Sequence, residues 1–72
     1  MNLQNFLKGL TGIAQEFAVF ILDKNTNTVL ETSKSNWLFD LRSKSGIGES
    51  EVDGFQIYSL GEKIEKIIVN LK

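Results

Sequence analysis

The chain reads as a small α+β domain, a four-stranded antiparallel meander flanked by an N-terminal and a C-terminal helix in the order α-β-β-β-β-α. Three observations carry that reading. Apolar residues at three- and four-residue steps open the chain (Leu3, Phe6, Leu7, Leu10, Ile13, Phe17) and close it (Leu60, Ile64, Ile67, Ile68, Leu71), the spacing of a helix face. Between these segments, aromatic and β-branched runs alternate with clusters of Asp, Asn, Ser, Thr and Gly, the chemistry of strands and turns. With 72 residues, 42% hydrophobic and 24% charged, the composition matches a globular domain and not a disordered tail, and the length fits one domain.

The first helix is expected over about Asn2 to Ala14, with Asn2 as its N-cap and with Gly9 and Gly12 weakening its second half. Phe17 to Leu22 reads as a strand, Asp23 to Thr28 as a polar turn in which Asn25 or Asn27 takes the left-handed conformation, and Val29 to Thr32 as the returning strand of a hairpin. Trp37, Phe39 and Leu41 alternate with Leu38, Asp40 and Arg42, which suggests a third strand. A helix capped at Asn36 and stopped by Gly46 is the competing reading of the same residues. Ser43 to Glu51 has loop composition, and Gly54 to Tyr58 reads as a fourth strand. Ser59-Leu60-Gly61-Glu62 has the Ser-x-x-Glu pattern of a capping box ahead of the last apolar stripe, with Glu62 and Glu65 near the expected positive end and Lys72 near the negative one. Short loops between successive strands favour a meander, and no repeat, low-complexity tract or linker divides the chain.

Composition excludes several classes of function. There is no Cys, so no disulfide framework, thiolate or Cys-based zinc site, and there is no His, the commonest metal ligand and general base. No metal and no cofactor is expected. The longest apolar run, Phe17 to Leu22, is far below the roughly 20 residues that span a bilayer. No secretory leader is expected from the opening residues, no Asn-x-Ser/Thr sequon occurs, and a secreted domain of this size is more often disulfide-rich, so a cytoplasmic location is expected.

One strand departs from the pattern of a two-layer domain. Phe17, Val19 and Ile21 would lie on one face while Ala18, Phe20 and Leu22 lie on the other, the arrangement of a strand covered on both sides. Two short helices cover one face of a four-stranded sheet, and the chain has no further layer to offer. Either a patch containing Phe20, Leu22, Leu38 and Tyr58 meets another protein, whether a copy of itself or a different partner, or the helices divide between the two faces or the sheet curls around its own core.

The remaining motifs point weakly to chemistry. Asp23-x-Asn25-x-Asn27 opens like a calcium loop, but the sixth position is Thr28 where Gly is required and the twelfth is Lys34 where Glu is required. Gly46-x-Gly48 lacks the third glycine of a dinucleotide fingerprint, which is Glu51, and its acidic surroundings repel phosphate. Glu49, Glu51 and Asp53 read as a solvated acidic edge, because raising a carboxylate pKa for acid catalysis needs burial that only Val52 offers. Ser33-Lys34-Ser35 and Ser43-Lys44-Ser45 are soluble-loop sequences with no supporting elbow. The expectation is a non-enzymatic interaction module, self-associating as a homo-oligomer or serving as a small subunit or inhibitor of a larger protein. The alternative is single-stranded nucleic-acid binding through Trp37, Phe39, Arg42 and Lys44, which interleave rings and cations as such binders do. The formal charge of -1 and Asp40 amid the patch weigh against that alternative.

Overall fold

The structure, a computed structural model, describes residues 1–44 and 46–72. Ser45, in the expected Ser43 to Glu51 loop and in the second Ser-Lys-Ser sequence, lies outside the described residues. The elements run α1 (Leu3–Leu10), β1 (Ala18–Asp23), β2 (Thr28–Ser33), α2 (Trp37–Arg42), β3 (Val52–Leu60) and β4 (Lys63–Leu71), with one 3-10 turn at Ile47–Glu49. The fold is α+β, as expected, but its sheet is mixed and its second helix lies between the hairpins.

Two antiparallel hairpins, β1–β2 and β3–β4, are joined side by side through a parallel pairing of β1 with β4, giving the strand order β2-β1-β4-β3. A meander would have paired β2 with β3. The most apolar strands take the centre instead: β1 carries Ala18 to Leu22 without a polar residue and β4 carries Ile67-Ile68-Val69, and a central strand is the position where both faces of such a run find neighbours. The edges fall to β2, which carries Glu31, and to β3.

The register fixes which face is buried. Val19 pairs with Thr32 and Ile67, and Ile21 with Leu30 and Val69, so all six point to one side. Leu3 and Leu7 of α1 and Trp37 and Leu41 of α2 close over Val19, Ile21, Ile67, Val69 and Leu71, and Phe17 completes this core. Both helices therefore lie on the same face of the sheet.

Helix α1 begins where expected: the Asn2 side-chain oxygen accepts from the Asn5 N–H at 2.9 Å. It ends at Leu10, short of Ala14, and Ile13 and Phe17 reach the core from the linker that follows. That linker is held by side chains acting as backbone. Gln15 donates to the Ile64 carbonyl at 2.6 Å and accepts from the Ile64 N–H at 3.0 Å, reproducing a ladder step at the start of β4. Lys34 donates to the Ile13 carbonyl at 2.7 Å. Glu16 accepts from the Phe17 and Ser35 N–H groups, and hydrogen bonding to Ser35, above all its side chain, holds this carboxyl below its ordinary pKa.

Residues 37–42 are helix and not strand, the competing reading of that segment, but the helix ends at Arg42, ahead of Gly46, and the Asn36 side chain makes no capping hydrogen bond. Trp37 and Leu41, four residues apart, both enter the core, whereas the alternation of a strand would have placed Phe39 beside them. Phe39 is instead 77% exposed. The buried Thr32 hydroxyl donates to Asp40 at 2.6 Å and ties this helix to β2.

The C-terminal helix is replaced by β4. Its apolar stripe also satisfies a period of two through Ile67, Val69 and Leu71, and Ile64, Ile67, Ile68 and Val69 are all β-branched, which favours the strand. Gly61 has φ +63° at the first central position of the two-residue connection between Leu60 and Lys63, so the residues read as a capping box form a hairpin turn. In the β1–β2 turn it is Asn27 that takes the left-handed conformation, at φ 54°. Replacing Gln15 with Ala leaves the Ile64 N–H and carbonyl without their partner, and we predict a loss of about 1–3 kcal/mol in urea unfolding with the fold retained at low denaturant.

Candidate interaction face

The side of the sheet opposite the helices carries no second layer among the described residues. It is built from Ala18, Phe20 and Leu22 of β1, Lys66, Ile68 and Asn70 of β4, Val29, Glu31 and Ser33 of β2, and Gly54, Gln56 and Tyr58 of β3, alternating with the buried set. Phe20 lies between Glu31 and Ile68, and Leu22 between Val29 and Asn70. Phe20, Leu22 and Ile68 form an apolar centre, continued by Val29, which is 59% exposed.

Polar groups frame this centre. Lys66 Nζ sits 5.2 Å from the centroid of the Tyr58 ring, which holds that ring at one end of the face, and Tyr58 itself is 46% exposed. Asn70 donates to Gln56 at 3.1 Å. Glu31 stands opposite Phe20 on the β2 side. The face thus has an apolar middle, one aromatic with a polar tip and a rim with one lysine and one glutamate.

Of the residues expected in one patch, Phe20, Leu22 and Tyr58 share this face. Leu38 does not. It belongs to α2 in the opposite layer, half-exposed, beside a shallow cleft of about 380 Å³ that Trp37, Leu41, Arg42 and Lys44 also line. Ile68 belongs to the face and went unread, because the helical reading of residues 60–71 placed it in a core stripe; the run Ile67-Ile68-Val69, apolar at both parities, was the signal available.

The second expected set is divided. Arg42 and Lys44 share the cleft rim with Glu49, Trp37 is 5% exposed within the core, and Phe39 stands exposed outside the residues that line the cleft. A stacking platform of Trp37 and Phe39 therefore does not form.

The polar motifs serve the turns in which they sit. Asp23 accepts from the Asn25 N–H at 3.0 Å, and Asn25 donates to the Lys72 carbonyl at 3.0 Å. Gly46, at φ +80°, leads into the 3-10 turn. Glu51 pairs with the Met1 amino group at 2.9 Å, which with Lys72 nearby lowers its pKa, and Asp53 pairs with Lys24 at 3.3 Å, so the acidic residues point to separate partners. Among the described residues no group of three or more Asp or Glu could hold a metal ion, and no helix is long and apolar enough to cross a membrane.

Comparison of the chain with protein-family models, with curated proteins and with solved structures finds no match. The different fates of the α2 residues give a direct check. Trp37→Ala is expected to destabilise the domain by about 3–5 kcal/mol in chemical unfolding, whereas Phe39→Ala stays within about 0.5 kcal/mol of the parent.

Proposed function

We propose that this chain is a non-catalytic protein–protein interaction module whose contact surface is the open face of its sheet, centred on Phe20. The observation that carries this reading is the coincidence of Phe20, Leu22 and Ile68 on a sheet face that the two helices leave uncovered. Each of the three is only partly exposed, and a protein partner that covers what remains open gains roughly 25 cal/mol for each Å² removed from water. The framing by Lys66, Tyr58, Asn70 and Glu31 supplies the polar rim that fixes orientation. The module acts as a small subunit or inhibitor of a larger protein, or on a further copy of itself, and the cysteine-free composition suits a reducing compartment such as the cytoplasm.

The competing reading, single-stranded nucleic-acid binding, retains the cations Arg42 and Lys44 on one cleft rim and the exposed Phe39, but loses Trp37 to the core. Amide shift mapping with the isotope-labelled domain distinguishes the two. With a protein partner added, shifts are expected on β1 and β4 residues of the open face, and Phe20→Asp should abolish them while keeping the parent melting profile. Shifts confined to α2 and residues 42–49, or salt-sensitive binding of a labelled oligonucleotide at low micromolar concentration, would contradict the proposal.

A further inference from the structure

We propose that the outer edge of β3 pairs antiparallel with the same edge of a second copy of this chain, forming a closed dimer with one continuous eight-stranded sheet. This rests on the edge of the sheet and stands independently of the open-face reading.

The edge is bare over a defined length. At its start, the chain's own first residues occupy it: the Leu3 N–H donates to the Ser50 carbonyl at 2.8 Å, the Val52 N–H donates to the Met1 carbonyl at 2.9 Å, and Asn2 bridges antiparallel to Glu51. Beyond that point, among the described residues, no strand pairs with β3 on the side away from β4. From Gly54 to Leu60 alternate backbone N–H and carbonyl groups face outward without a strand to receive them.

The two edges of the sheet are treated differently. Edge β2 carries Glu31 in mid-strand, is followed by Lys34, and has α2 packed against it, the devices that keep strands apart. Edge β3 has no charged residue from Gly54 to Leu60, and its pairing with β4 shifts register only at Val52/Gly54 and Tyr58/Ser59, which leaves Gly54 to Tyr58 in continuous register around Ile57. On the helix side of the sheet it also carries Phe55 and Ile57, which are 50% and 52% exposed although Phe55 touches the Phe6 ring at a centroid distance of 4.9 Å. A neighbour lying along the β3 edge would bring both under cover.

The occupant is a second copy because the free stretch complements itself. Its midpoint is Ile57. An antiparallel two-fold placed there sets Ile57 against Ile57 of the second copy, Gln56 against Tyr58 and Phe55 against Ser59, each of the latter twice, and opposes no like charges. The two-fold consumes both β3 edges, so growth stops at the dimer with a guarded β2 at either end. It also doubles the open face into one surface.

Charge exchange at the axis tests this. Sedimentation equilibrium of the parent chain is expected to give a reversible dimer of about twice 8.1 kDa. Ile57→Lys and Ile57→Glu, each at a half-exposed site and checked for an unchanged melting curve, should be monomers, since each places like charges face to face. An equimolar mixture of the two should restore the dimer, with one chain of each kind in native mass spectrometry. Phe20→Asp should leave the parent dimer intact. The proposal is overturned by a parent chain that stays monomeric to about 1 mM, by a dimer that survives Ile57→Lys, by an equimolar mixture that stays monomeric, or by a mass that climbs past the dimer. A dimer lost in Phe20→Asp but kept in Ile57→Lys assigns self-association to the open face.

Discussion

The parallel pairing of β1 with β4 is the constraint on which the rest of this molecule depends. A two-stranded hairpin is at best marginal in water, and this chain contains two of them. Joining them through β1 and β4 yields a four-stranded sheet, and the register that joins them sets Val19 beside Ile67 and Ile21 beside Val69. That single alignment gathers the apolar side chains of both hairpins onto one face, where Leu3, Leu7, Trp37 and Leu41 close over them. A slip of one residue would turn the set towards water. The linker after α1 reinforces the same join: Gln15 bonds both backbone groups of Ile64, tying the approach to β1 to the start of β4.

The same alignment has a consequence on the other face. If Val19 and Ile67 are neighbours beneath the helices, Phe20 and Ile68 are neighbours on the face without helices, partly exposed, with Leu22 one step along. A chain of 72 residues has spent its two helices on the first face, and nothing among the described residues covers the second. A domain this small buries only about 60–65% of its unfolded surface, so apolar area left bare matters more to its stability than it would in a larger protein. The open face and the β3 edge, uncharged from Gly54 to Leu60, are both products of this economy, one a matter of apolar side chains and the other of unpaired backbone. A sheet lengthened across the β3 edge would present the face as a single wider surface.

How much of this could be read from the residues depended on how far the decisive contacts lie along the chain. The N-cap at Asn2, the polar turn with Asn25 or Asn27 in the left-handed region, the first hairpin and the strand following Gly54 are set within a few residues, and they were legible, the structure choosing Asn27 for the turn. Phe20 and Leu22 were legible as residues on a second apolar face because six apolar residues in succession leave no polar side. The parallel join was not, since it links residues about 48 apart through no local signal. The C-terminal stripe fits periods of 3.6 and of 2 alike, and β-branching together with Gly61 decided it. Leu38 was misplaced for a related reason: six residues with one buried pair, Trp37 and Leu41, satisfy a short helix as readily as a strand, and the choice moves Leu38 to the opposite layer. With Trp37 drawn into the core by that same choice, the aromatic and basic set around it was divided.

The central claim is a sheet covered on one face only, and it is tested most directly by methyl relaxation in the presence of a soluble paramagnetic agent at a protein concentration low enough to keep the chain monomeric. The account predicts strong enhancement at the methyls of Val29, intermediate enhancement at those of Leu22 and Ile68, and little at those of Val19, Ile21, Ile67 and Val69. Equal protection of the two sets would mean that both faces of the sheet are covered within one chain, and would contradict it.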